Sequence, residues 1–185
     1  ERKIIGGSSD KLFEPDADIK QTEAYKILIT AMGYGEYAEN NGGYPSGYIK
    51  AASMTKISSG ISSKTDVTRR DMFVMLYNAM LTNIMESDSY TADGNTYRVN
   101  KDETFLSINQ GIYYNTGILT AAEQMGIKNI IPTEDDEVII DDKQYKSDIN
   151  LADFLGEDIE VLYRYDRTND EKRIIWAKKS GVTES

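Results

Sequence analysis

Across residues 19–33, apolar side chains return every three or four positions, with Tyr25, Leu28 and Met32 on one side and no internal Gly or Pro. That spacing predicts an amphipathic helix. Residues 67–81 show it again, 48 positions on: Glu23 falls on Asp71, Tyr25 on Phe73, Leu28 on Leu76, Ala31 on Ala79 and Met32 on Met80. The second copy has a start signal, Thr68 with an acid three residues later, a capping box with Asp in place of Glu. The first copy has Lys20 where that Thr would be, and its cap is expected from Asp18. Between them, residues 40–43 mark a turn, and Pro45 opens a third predicted helix over 47–57 with Tyr48, Ala51, Ala52 and Thr55 on one side. Met72, Phe73, Met75, Leu76 and Met80 read as core at helical spacing.

After Met85 the period changes from 3.6 to 2. Asp93-Gly94 between two arms rich in Tyr and Thr predicts a hairpin over 89–99. Residues 112–121 read as a strand bent at Gly117, and 138–140 with 144–146 as a second short hairpin. Residues 151–155 read as one helical turn. Ile159, Val161, Tyr163 and Tyr165 alternate with polar neighbours in a half-buried strand, which turns at 166–170 into a last strand bearing Trp176, the chain's one tryptophan. Five to seven short strands about one core predict a small barrel of SH3-like or OB-like kind. The expected fold class is α+β, with all-α helical repeats over 1–85 followed by a β-barrel over 86–185.

Composition narrows the chemistry. Apolar residues are 39% and charged residues 28% of 185, enough for a core, and no apolar run is long enough to span a membrane as a helix. The chain starts at Glu1 without a Met or a leader pattern and reads as a piece of something longer. It contains neither Cys nor His, which removes thiolate nucleophiles, Cys-ligated zinc, the commonest transition-metal ligand and the commonest neutral-pH base. No cofactor, metal site or catalytic residue is expected, and the chain reads as a non-enzyme. Residues 1–84 carry ten acidic and ten basic side chains, whereas 85–185 carry twenty-one and eleven. An acidic half without a basic stripe repels phosphate backbones, so no nucleic-acid partner is expected.

Residues 11–16 contain a Phe-x-Pro loop (Phe13, Pro15), residues 67–71 read Val-Thr-Arg-Arg-Asp, and 47–52 form a Tyr-led helix start. Taken in order over residues 3–82, these resemble the S-layer homology family, repeats that attach bacterial surface proteins to the cell wall. The resemblance implies an extracellular, wall-associated protein. It also implies an anionic, pyruvylated secondary wall polysaccharide as partner, held by Arg69, Thr68, Asp71, Tyr48 and Gly60. Gln21 stands where the first repeat's motif Arg would be, and the chain holds about one and a half of the family's usual three repeats. Self-association, or docking on the β-half, is expected to cover the incomplete stack. The alternatives are a carbohydrate-binding accessory piece of a larger surface enzyme, or a protein–protein module of a surface lattice.

Arg69 and Arg70 sit at a predicted helix start, where a cation opposes the macrodipole; that placement asks for a reason, and the resemblance supplies one, since Arg69 matches the family's motif Arg and is implied as the foremost contact candidate. The acidic run at 134–137 with Asp141 and Asp142 lacks the spacing of a calcium loop and reads as solvated. Tyr113, Tyr114, Tyr163 and Tyr165 could stack on sugar rings, but their strand positions favour sheet packing.

Overall fold

The computed structural model describes residues 16–62, 65–91, 94–127, 132 and 134–181. Two compact units divide the chain, Glu1–Phe105 and Leu106–Ser185. Phe13 and Pro15 of the Phe-x-Pro loop, and Asp93 of the first hairpin turn, lie outside the described residues.

The first unit holds α1 (Gln21–Ala31), α2 (Gly35–Asn40), α3 (Ser46–Thr55) and α4 (Arg69–Met80), then β1 (Asn83–Thr91) and β2 (Gly94–Thr104). The starts of α1 and α4 lie where the chain offers partners for free N–H groups. At α4 the Thr68 side chain accepts from the Asp71 backbone N–H. At α1 the N-cap is Lys20, whose own N–H donates to the Glu23 carboxylate at 2.8 Å; Asp18 is not the cap. The two starts are tied by an antiparallel bridge, Lys20 opposite Asp66, with Gln21 N–H donating to Thr65 O at 2.9 Å and Val67 N–H to Ile19 O at 3.0 Å.

The core of this unit joins Tyr25, Leu28 and Ile29 of α1, and Met32 at its C-cap, with Ala38, Tyr48, Ala51, Ala52, Met75, Ala79 and Met85. The β1–β2 hairpin belongs to it. Tyr97 and Phe105 pack on the same cluster, Tyr34 Oη donates to Asn83 O at 2.9 Å, and Tyr37 meets Tyr97 edge to face at 6.2 Å.

Two expectations are corrected by this architecture. All-α repeats are not what this half contains: its helices are short, and it closes on a two-stranded antiparallel sheet. The 48-residue similarity records two amphipathic helices, not two equivalent packings. Tyr25 is 6% exposed within the helical core, but its counterpart Phe73 is 72% exposed, and Leu76 and Met80 also face solvent. Periodicity names the apolar side of a helix; only the chain that follows decides whether anything covers it. After α1 come two helices, and after α4 comes a hairpin. Phe73, Leu76 and Met80 are therefore surface residues, while Met75 is fully buried as expected.

α5 (Phe105–Gln110) leads into the second unit, which holds β3 (Ile112–Ala122), β4 (Met125–Gly126), β5 (Glu137–Ile140), β6 (Lys143–Ser147), a 3-10 turn at Ala152–Phe154, β7 (Asp158–Asp166) and β8 (Glu171–Lys179). These make one six-stranded sheet in the order β4-β3-β5-β6-β8-β7, with β3 pairing β7 as well. The expected closed SH3-like or OB-like barrel is the second correction: the described residues form two sheets, of two and six strands, and no closed barrel. β3, β5, β6, β7 and β8 lie where the sequence predicts strands, whereas β4 is not among the expected elements. The strands' partners do not follow from alternation, because β3 changes partner along its length. Residues 112–118 pair with β7, whereas Leu119, Ala121 and Ala122 pair with β5, and β6 meets β8 in parallel over only two residue pairs. The core below the sheet is Leu119, Val138, Ile140, Tyr145, Leu151, Ile159, Val161 and Ile174.

Tyr145 sits in that core, where burial, then the neighbouring Tyr163, push its phenol up to about 12. Asn115 Nδ2 donates to its oxygen at 3.0 Å. A raised phenol favours the neutral form in the fold, so the contribution is complete below the unfolded value near 10 and is lost as pH climbs from there through about 12. The loss is on the order of 2–3 kcal/mol, the linkage equivalent of moving a phenol between those two values. Absorbance titration should show one of the thirteen tyrosines ionising last, together with loss of the C-terminal unit, and Tyr145→Phe should remove that late step.

Candidate functional site

The chain from Gly60 to Asp71 folds back so that a loop residue and a helix start share one carboxylate. Asp71 is fully buried, the only charged side chain among the described residues so completely enclosed. Its Oδ1 accepts from the Ser62 backbone N–H at 3.0 Å and from Ser62 Oγ at 3.1 Å. Its Oδ2 accepts from Thr68 Oγ1 at 2.7 Å, while Thr68 Oγ1 accepts from the Asp71 N–H at 3.1 Å. These donors, led by the Ser62 backbone N–H and the Thr68 hydroxyl, hold the carboxyl well below the usual carboxylate range, against the opposing effect of burial. The negative charge also lies in the first turn of α4, where the macrodipole favours it.

Beside this anchor stand two exposed arginines, Arg69 and Arg70. Arg70 Nη1 donates to Gly60 O at 3.4 Å and stands 3.8 Å from Asp71 Oδ1, with most of its side chain in solvent. Gly60 has φ +77°, a left-handed conformation that glycine adopts without strain, and this turn presents its carbonyl to Arg70. Arg69 is exposed, and among the described residues it has no hydrogen-bond or ion-pair partner. A free guanidinium with five donors at a helix N-terminus is chemically suited to a carboxylate or phosphate, which it can grip with two parallel bonds.

Of the five residues singled out from sequence, the structure brings Gly60, Thr68, Arg69 and Asp71 together. Tyr48 is elsewhere. It is buried in the helical core, its Oη donates to Glu39 Oε1 at 2.8 Å, and Lys26 Nζ lies 6.0 Å from its ring centroid. Burial, then Glu39, raises its phenol. Ser62 is the residue that sequence reading missed. It lies nine positions before Asp71 across a loop, and no local periodicity connects the two. Replacing Thr68 by Ala removes the cap and one of the carboxylate's donors. It should destabilise the first unit by about 1 kcal/mol, read as a lower urea midpoint with unchanged slope.

In the second unit two carboxylates of the acidic run, Glu134 and Asp136, pair with cations. Lys146 Nζ pairs with Glu134 and, at 2.7 Å, with Asp136. Arg173 reaches Asp148 at 2.9 Å, Glu171 at 3.0 Å and Asp136 at 3.4 Å. Among the described residues, no group of three or more acidic side chains is placed to hold a metal ion. The tyrosines are divided: Tyr163 stacks on Tyr113 at 5.5 Å and meets Tyr145 edge-on at 5.2 Å, so these rings pack mainly on one another. No helix among the described residues is long and apolar enough to cross a membrane.

Comparison with known proteins assigns the chain's location to the cell wall or cell surface, since the curated proteins similar to it are wall and surface-layer proteins. One is the middle cell wall protein of Brevibacillus brevis, 32% identical over 92 residues, which are 49% of this chain and 8% of that protein. Another is a surface layer protein of Brevibacillus choshinensis, 31% identical over 107 residues, 57% of this chain and 9% of that protein. The matched stretch is thus under a tenth of either relative's length. No family model and no solved structure matches the chain.

Proposed function

We propose that the chain is a non-catalytic part of a cell-surface protein, and that its first unit attaches to an anionic secondary cell-wall polysaccharide in the manner of an S-layer homology module. The second unit is the portion presented at the surface. Arg69 makes the polymer contact. The observation that carries the reading is a solvent-exposed guanidinium without a partner among the described residues, set on a helix start that a buried carboxylate holds rigid. Thr68, Asp71 and Gly60 position the contact and do not make it. Their own groups are turned inward on one another and on Arg70.

A rigid first turn matters because the attachment gains only what it does not spend on ordering the side chains that grip the ligand. The wall location shared with the Brevibacillus relatives supports such a partner. Pull-down with purified bacterial cell walls tests it. Retention is expected on intact walls and lost once the secondary polymer is stripped. Equal retention on stripped walls would assign the attachment to another component.

A further inference from the structure

We propose that the outward face of β3, β7 and β8 binds an extended, uncharged glycan, with Tyr114 and Trp176 as stacking platforms on either side of Leu162. The register defines the row. Tyr114 pairs with Leu162, and Leu162 pairs with Trp176, so the three side chains lie side by side across three strands on the face opposite the core. Ile159 and Val161 of β7 are fully buried on the inward face, which leaves Leu162 and its two partners outward by alternation. Tyr114 is 37% and Trp176 39% exposed.

Two strand spacings separate the aromatic rings, roughly 10 Å at the usual 4.7–4.9 Å per strand. That separation is comparable to the disaccharide repeat of an extended β-linked chain, whose flat, C–H-lined sugar faces pack on aromatic rings. The row also has a polar margin that fits hydroxyls. Lys178 stands over the indole, 5.8 Å from its centroid, and is paired with Glu160 at 3.5 Å on the neighbouring strand. That pair restrains the Trp176 ring and leaves donors and acceptors beside it.

Charge and area select this occupant over others. Residues 106–185 carry sixteen acidic and nine basic side chains, so an anionic polymer or a second copy of the same unit is repelled. Two rings a little over one-third exposed are also far short of the ~800 Å² per partner that a stable protein interface buries. A neutral glycan needs neither a large area nor opposite charge. The site is separate from Arg69 and shares with the proposed function only the wall location.

Because Trp176 is the chain's one tryptophan, its emission reports on this face alone. Titration of the whole chain with the soluble β-1,4-linked hexamer of N-acetylglucosamine should give a saturable change in Trp emission. The monosaccharide should bind at least tenfold more weakly, because it covers one ring only. Tyr114→Ala, which keeps the fluorophore, should also lower hexamer affinity at least tenfold with far-UV circular dichroism unchanged. Emission indifferent to millimolar hexamer would overturn the proposal. So would equal affinity for hexamer and monosaccharide, or an emission change that follows protein concentration instead of sugar. The hexamer carries no anionic group, so a failure here leaves the Arg69 reading standing, and loss of wall binding at Arg69 leaves this one standing.

Discussion

Gly47→Ala is expected to destabilise the first unit by about 3 kcal/mol, the upper part of the range for overpacking a core. Gly47 lies buried in the first turn of α3, close against the backbone of α2. A Cβ built there would stand 1.9 Å from the Ala38 carbonyl oxygen and 2.8 Å from its carbon. Both atoms are backbone, so relief cannot come from a side-chain rotation; α2 and α3 must move apart. Such a movement opens the contacts of Ala38, Tyr48 and Ala51, all buried in the core that α1 shares. The Gly47 N–H also donates to Gly43 O at 2.6 Å, which ties the helix start to the preceding turn. A urea midpoint within about 0.5 kcal/mol of wild type, the ordinary surface range, would show that the two helices are not in this contact.

The second large effect concerns acid. Asp71 carries a carboxyl depressed well below the ordinary value by the Ser62 and Thr68 donors. A depressed folded value means that the stabilisation is fully present above the unfolded value, about 4. It is lost as pH falls from there toward the folded value. The first unit should therefore begin to lose stability below about pH 4, and Asp71→Asn should flatten that slope. The same variant should cost more at neutral pH than Thr68→Ala does, because it leaves Ser62 and Thr68 donors facing an amide inside the fold. Unfolding midpoints measured at about pH 7, 4 and 2.5 check both statements. A variant with the wild-type acid slope would assign acid sensitivity to other carboxylates.

Much of this architecture is legible in the sequence, and the exceptions have a common cause. The Thr68–Asp71 helix start, the helices near 21, 46 and 69 and, β4 apart, the strands of the second half follow from capping chemistry and from periods of 3.6 and 2. Those signals act within a few residues. What escapes them depends on residues far apart in the chain. The exposure of Phe73, the placement of the β1–β2 hairpin on the helical core, the shared pairing of β3 and the Ser62 bonds to Asp71 are all of this kind. The site divides in the same way. A cation at a helix start is locally unfavourable, which marks Arg69 and Arg70 alike, and it is the resemblance of residues 67–71 to the S-layer homology motif that singles out Arg69. Tyr48 is not part of the cluster because an aromatic position at a helix start says nothing of which neighbour it meets; it meets Glu39 in the core. The Tyr114–Leu162–Trp176 row is invisible in sequence because three strands from two parts of the chain must align before it exists.

The most direct measurement is co-sedimentation of the whole chain with purified cell walls, comparing wild type with Arg69→Ala. Arg69 is exposed and its side chain makes no hydrogen bond or ion pair among the described residues, so its loss should leave the unfolding midpoint within the ordinary surface range of about 0.5 kcal/mol. A charge-assisted bond is worth ~1.5–3 kcal/mol, so wall affinity should fall by about tenfold or more. Wall binding by Arg69→Ala equal to that of wild type, in a protein that unfolds at the same midpoint, would contradict attachment through this residue.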